Sequence, residues 1–180
     1  MPKNATVQAH DKLERFEQCI MPQMDAAYNL ARWLVGNDTD AQDVVQDACL
    51  RAFKFFGGFR GGDARAWLLR IVRNSFYDWL RRQGRPELET SFDEELHAAA
   101  ADSPTPDAAL LERANKELVH QAIEALPVEY REVLVLRELE GLSYKEIADV
   151  ADLPIGTVMS RLARAREQLR QDLVERVQED

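Results

Sequence analysis

Cysteine is nearly absent from this chain, and Cys19 and Cys49 stand alone with no Cys-x-x-Cys neighbour. That rules out a disulfide framework or a thiolate zinc knuckle, and each thiol is expected to be buried and reduced. Histidine is as sparse. His10, His97 and His120 lie far apart, at no metal-ligand spacing, so neither a metal ion nor a cofactor is expected. Acids, histidines and thiols form no convergent set, which argues against an enzyme. No apolar run approaches the roughly 20 residues that would cross a bilayer, so no membrane insertion is expected. The opening residues, Met1-Pro-Lys-Asn-Ala-Thr, lack the apolar centre of a signal peptide, and a cytoplasmic location is expected. Period-two alternation is missing too, leaving no candidate strand.

What is present is helical periodicity and an uneven charge distribution. The net charge of -9 argues against indiscriminate coating of nucleic acid, but attraction to phosphates depends on the local field. Between Arg60 and Arg85 the chain carries seven arginines against Asp63 and Asp78. Between Pro86 and Glu112 it carries eight carboxylates and no lysine or arginine. The acidic segment is alanine-rich and includes Ser103-Pro-Thr-Pro106 without sustained periodicity, the composition of a flexible linker. The expected fold is therefore all-α: two small helical domains, residues 1–85 and 113–180, joined by a flexible acidic linker over 86–112, with a helix-turn-helix in the second.

Within the first domain, residues 11 to 35 suggest two helices interrupted near Pro22, the second stopped by Gly36 and Asn37. A third helix, capped by Asp38, Thr39 or Asp40, runs to about Phe56 with Val44, Val45, Ala48, Ala52, Phe53 and Phe56 inward. Its outer stripe holds Asp43, Gln46, Asp47, Arg51 and Lys54, which periodicity alone leaves as a solvated face. The glycine-rich run 57–63 presents Phe59 as an exposed aromatic beside Arg60, either a simple turn or a place of close approach to a ligand. Asp63 can cap the next helix, which continues to about Gln83. On a helical wheel Leu68, Ile71, Val72, Phe76, Trp79 and Leu80 share one arc, and Arg70, Arg73, Asn74, Tyr77 and Arg81 share the opposite one. Such an outer face is either solvated or suited to hold phosphates by charge and unpaired bases by stacking.

In the second domain, Leu118, Ala122, Ile123 and Leu126 mark one helix. Pro127 opens another that packs Val133, Leu134, Leu136 and Leu139 until Gly141. Ser143 followed by Glu146 is a capping box. Asp152, Leu153 and Pro154 make a tight turn, because proline suits a helix start and disfavours helical geometry before it. The last helix then buries Val158, Leu162, Ala165 and Leu169 on one narrow stripe, leaving Ser160, Ala163, Arg164 and Glu167 outward. Two short helices so joined form a helix-turn-helix whose outer face can enter a major groove.

Three stretches together resemble a bacterial RNA polymerase sigma factor of the extracytoplasmic-function (ECF) type, in the sigma-70 family. Asp40–Phe53 is similar to the family's polymerase-docking helix, Phe59–Arg82 to its -10 promoter reader, and Leu126-Pro127, Leu136–Ser143 and Pro154–Arg166 to its -35 reader. The resemblance implies core polymerase contacts by Asp43, Gln46, Asp47 and Arg51. It implies that Phe59, Arg60, Arg70, Arg73, Asn74, Tyr77 and Arg81 hold the opened -10 strand, where trapping a flipped base offsets the cost of unstacking. Ser160, Arg161 and Arg164 match positions near the -35 bases and phosphates, assisted by Thr157 and Arg166. Met159 and Ala163 depart from relatives that often carry a larger or basic residue there. The family's linker threads the polymerase cleft, and the acidity of 86–112 suits a basic channel as well as it suits a solubilising tether. The implied partners are core RNA polymerase, promoter DNA and an anti-sigma factor. A polymerase-independent repressor would explain the helix-turn-helix but leave the Arg/aromatic helix without a purpose, and a decoy that captures an anti-sigma factor would direct no transcription.

Overall fold

The computed structural model describes residues 3–84 and 116–179. The chain divides into two compact units, Met1–Pro86 and Glu87–Asp180. Every regular element among the described residues is helical. The acidic segment expected to be a flexible linker, 86–112, lies outside the described residues.

The first unit contains α1 (Lys3–Ile20), α2 (Met24–Val35), α3 (Asp38–Phe55) and α4 (Ala64–Arg82). Pro22 sits in a 3-10 turn, Met21–Gln23, that separates α1 from α2, since proline has no N–H to continue an α-helical ladder. Gly36 ends α2 in the left-handed region, φ 91°, with its N–H donating to the Arg32 carbonyl. The residue that starts α3 is Asn37, one position before the aspartates expected to do so. Its side-chain oxygen accepts from the Asp40 N–H at 2.9 Å, so one Gly-Asn pair both stops and restarts the chain. Helices α2, α3 and α4 pack on one another. Small residues on α3, namely Ala41, Ala48 and Ala52, are buried against Leu30, Leu34, Leu68, Leu69, Val72, Phe76 and Leu80. Phe16 and Ile20 of α1 complete this core.

Two inward assignments in α3 differ from the structure. Phe53 is exposed at its rim, 37%, although it meets Phe16 edge-on at 5.2 Å, and Val45 is half-buried. On α4, Ile71 and Trp79 are half-buried, while Ser75 joins Leu68, Leu69 and Val72 at full burial. The buried arc is otherwise the one the spacing predicts, and Ser75 enters it with a hydroxyl that has no hydrogen-bond partner among the described residues.

The second unit contains α5 (Lys116–Ala125), α6 (Val128–Leu134) extended by a π-helical turn over Val135–Leu139, α7 (Tyr144–Ala151) and α8 (Ile155–Glu179). Helix α8 is the hub, packing on α5, α6 and α7. Its stripe of Val158, Leu162, Ala165 and Leu169 is buried as the spacing requires, and Leu173 prolongs it by one turn. Leu139, expected to pack, is 47% exposed. The π turn accounts for this, because its wider i→i+5 register slips later positions round the axis and carries Leu139 off the buried face. Gly141, at φ 68°, then reverses the chain, and Arg137 donates to the Leu142 carbonyl at 2.8 Å to hold that reversal.

Candidate nucleic-acid and docking surfaces

The helix-turn-helix is built from α7 and α8. At its start the Ser143 N–H donates to the Glu146 carboxylate at 2.7 Å, and the Glu146 N–H donates to the Ser143 hydroxyl at 3.2 Å. This reciprocal pair closes two open donors of the first turn. Ile147, Ala148, Val150 and Ala151 of α7 are buried. At its end Asp152 takes the left-handed conformation, φ 55° and ψ 50°, and the Leu153 N–H donates to the Ala148 carbonyl at 3.0 Å. Aspartate tolerates that region better than most non-glycine residues. Pro154 then accepts the first hydrogen bonds of α8, from Thr157 at 3.0 Å and Val158 at 3.1 Å.

With one stripe of α8 in the core, its outer face is set. Ser160, Ala163, Arg164 and Glu167 are exposed. The Ser160 hydroxyl donates to the Thr157 carbonyl at 3.1 Å, which leaves its oxygen able to accept. Arg164 reaches the Tyr130 hydroxyl of α6 at 3.4 Å. Thr157 and Arg161 are half-buried on the flank. Arg166 turns inward and grips Glu138 at 2.6 Å and 3.2 Å. Burial disfavours the Arg166 charge, and Glu138 more than compensates, so its affinity for the proton rises above the usual arginine value. Arg166 is thus engaged in joining α8 to the π turn, while Ser160 and Arg164 are the exposed members of the set.

In the first unit the loop 57–63 is opened by a 3-10 turn, Phe56–Gly58. Gly61 and Gly62 have φ of 90° and 100°, conformations open to glycine, and the Asp63 carboxylate caps α4 by accepting from the Arg65 and Ala66 N–H groups at 2.9 Å and 3.2 Å. Phe59 is half-buried, in contrast to the exposed aromatic expected. Its ring stacks on Phe56 at 5.8 Å and tilts onto Trp67 at 5.0 Å, a cluster stabilised by apolar burial and ring geometry. Arg60 beside it is exposed. Along α4, Arg70 and Asn74 are exposed, and the Arg73 guanidinium lies over the Tyr77 ring at 4.6 Å. Arg70, Arg73, Asn74 and Tyr77 therefore form one continuous face, a mixture of charge, amide and aromatic surface that can take phosphates and unpaired bases.

Arg81 belongs to a different set. It pairs with Asp78, which also pairs with Arg51 of α3, and Arg51 in turn contacts Asp47 at 2.9 Å. Burial pushes the Asp78 carboxyl up, but the guanidiniums of Arg51 and Arg81 outweigh it and hold it below the ordinary carboxylate range. The stripe on α3 is consequently split. Asp43 and Gln46 are exposed, whereas Asp47 and Arg51 are half-buried in this network between α3 and α4. Leu50 belongs to the same exposed face. It is 67% exposed, and it lies three or four residues after Asp47 and Gln46, on the same face. Phe55, 58% exposed, follows near the end of the helix. The signal for Leu50 was its spacing, which a stripe defined by polar residues passes over.

Cys19 and Cys49 are free and half-buried, less enclosed than expected, and burial pushes the Cys49 thiol up. Among the described residues no group of three or more His, Cys, Asp or Glu could hold a metal ion. No helix among them is long and apolar enough to cross a membrane.

Two families match the chain: sigma-70 region 2 over residues 21–86 and sigma-70 region 4 over residues 116–169. The chain is 35% identical over 155 residues to the ECF RNA polymerase sigma factor SigE of Mycolicibacterium smegmatis, covering 86% of this chain and 60% of that protein. It is 39% identical over 135 residues to the ECF RNA polymerase sigma-E factor of Escherichia coli K12, covering 71% of each. Among solved structures it is similar to the sigma factor RpoE in complex with the anti-sigma factor NepR from Bartonella quintana. The TM-score is 0.68 at 29% identity, covering 89% of this chain and 97% of that one.

Proposed function

Because the chain belongs to the sigma-70 family, as an RNA polymerase sigma factor of the ECF type, we propose that it binds core RNA polymerase and directs it to promoters. In this reading residues 1–85 dock on polymerase and trap the opened -10 strand, residues 113–180 hold the -35 duplex, and 86–112 tether the two. Promoter selection comes from this chain, and bond-making belongs to the polymerase, so the protein is not itself an enzyme. The observation that carries the reading is the presence, in one chain, of two outward arginine faces on separate cores. One is a helix-turn-helix face led by Ser160 and Arg164, and the other an Arg70–Arg73–Asn74–Tyr77 face beside a half-buried aromatic loop.

The two faces suit different forms of DNA. An arginine beside small residues near the start of a helix can approach base edges in a major groove, where a good bidentate contact discriminates by about 1–3 kcal/mol. A face with Tyr77 and Asn74 can stack on and hydrogen-bond bases that are already unpaired. Strand separation would then be driven by capture of the open form. Asp43, Gln46 and Leu50 on α3 offer the polymerase an exposed polar and apolar stripe, and Arg51 positions that stripe through Asp78. The similarity to a sigma factor solved with an anti-sigma factor supports control by such a partner, and transcription by polymerase would place the chain in the cytoplasm.

Run-off transcription with purified core polymerase over a genomic fragment library tests the reading directly. Start sites sharing two upstream elements are expected, and initiation no different from core polymerase alone would refute it. Asn74→Ala combined with Tyr77→Ala should leave core binding intact and reduce permanganate reactivity of the -10 thymines by about tenfold or more, as expected for losing a stacking contact and its neighbour.

A further inference from the structure

The large apolar side chains exposed among the described residues of the second unit are Leu139, Ile155 and Met159. Ile155 and Met159, 46% and 49% exposed, occupy successive turns at the beginning of α8. Ala163, also exposed, is four residues further on. Beside this apolar row runs a second one, Gly156, Ser160 and Arg164, with the same spacing and all exposed. The two rows are neighbours on the helix surface. The polar row can answer hydrogen-bonding groups. The apolar row cannot, since a thioether is at best a weak acceptor.

Leaving such a row uncovered forgoes the stabilisation that burial would bring. The core stripe of α8, Val158 to Leu173, faces elsewhere, and the unit leaves about half of Met159 uncovered, 49%. Base edges in the major groove display donors, acceptors and one apolar feature, the 5-methyl group of thymine. We propose that Met159 selects thymine at one base pair of the -35 duplex by packing against that methyl, an inference that rests on the placement of α8 in the promoter's major groove. Methionine is long, unbranched and adaptable enough to reach a groove floor from the edge of the helix face. Ile155 and Ala163, one turn before and after, exclude water from the contact, while Ser160 and Arg164 read the adjoining polar edges.

The test uses the full chain with core polymerase on a promoter recovered from the fragment library. Each thymine of the -35 element, on both strands, is replaced in turn by deoxyuridine, which keeps pairing and removes only the methyl. With the unaltered chain, transcription at one position should fall by about fourfold, the amount expected for losing one buried methyl. Met159→Ala should bring that thymine-to-uracil ratio close to one, and Met159→Leu should preserve most of it. Because residue 159 is exposed, the substitutions should not disturb folding. A ratio near one at every thymine, with base-pair substitutions in the element still disabling the promoter, overturns the inference and leaves the sigma-factor reading standing. So does a ratio that survives Met159→Ala. Transcription no greater than that of core polymerase alone on every template would remove the underlying reading, and this inference with it.

Discussion

Arg51, Arg81 and Arg166 lie on faces expected to meet a partner, yet each is engaged inside its own unit, by Asp47 and Asp78, by Asp78, and by Glu138 respectively. Asp47 and Asp78 lie within a turn of Arg51 and Arg81 on the same helices, a pairing that spacing allows, whereas the carboxylates that reach Arg51 and Arg166 from another element, Asp78 and Glu138, come together only in the fold. Asp78 makes the distinction measurable. Its carboxyl is held below the usual range in the folded chain, so its ionised form stabilises the fold. That contribution is complete above about pH 4 and is lost as pH falls through the folded value. Asp78→Asn should lower the unfolding temperature at pH 7 and flatten the acid limb of a stability-against-pH curve. An unchanged acid limb would mean that the pairing contributes nothing.

At the scale of elements, most of the fold was legible. The four-three-four spacing of α8 and the Ser143–Glu146 cap were correct to the residue, since both depend on local geometry alone. What was not legible depends on neighbours or on irregular backbone. Regular helical spacing puts Leu139 inside, but the segment widens into a π turn and leaves it exposed. Glu132 sits one turn after Val128 on the buried face and is fully enclosed, a position that spacing marks as inner and residue type marks as outer. Of the proposed site, the exposure of the α4 and α8 faces follows from spacing, whereas Phe59 is tucked onto Trp67 and Leu50 stands exposed beside the polar residues of α3, neither of which spacing of polar residues reveals. Leu50→Asp should weaken core polymerase binding by about tenfold, the scale of a central interface residue. Circular dichroism and unfolding temperature should be unaltered, since the side chain is exposed. Equal affinity for polymerase would detach α3 from docking.

For the whole molecule, the charge total and the charge map pull in opposite directions. The net charge of -9 repels nucleic acid at long range, and the arginines of α4 and α8 attract it locally. The free chain should therefore bind random-sequence duplex no more tightly than about 10⁻⁴ M at physiological salt, the weak end of non-specific binding. Fluorescence anisotropy of a labelled duplex measures this, and a dissociation constant of about 10⁻⁵ M or tighter would contradict it. On the proposed function, such a molecule searches genomes poorly by itself and would acquire DNA through the polymerase it joins. The loop aromatics offer a way to watch that acquisition. Phe59 lies 5.0 Å from the Trp67 indole, so a nucleotide that wedges the loop open changes the polarity and quenching around a native fluorophore. With Trp33 and Trp79 replaced by phenylalanine and 5-hydroxytryptophan incorporated at Trp67, whose longer-wavelength excitation separates it from the polymerase's own tryptophans, promoter melting would report itself as a change in emission, without any dye attached to protein or template.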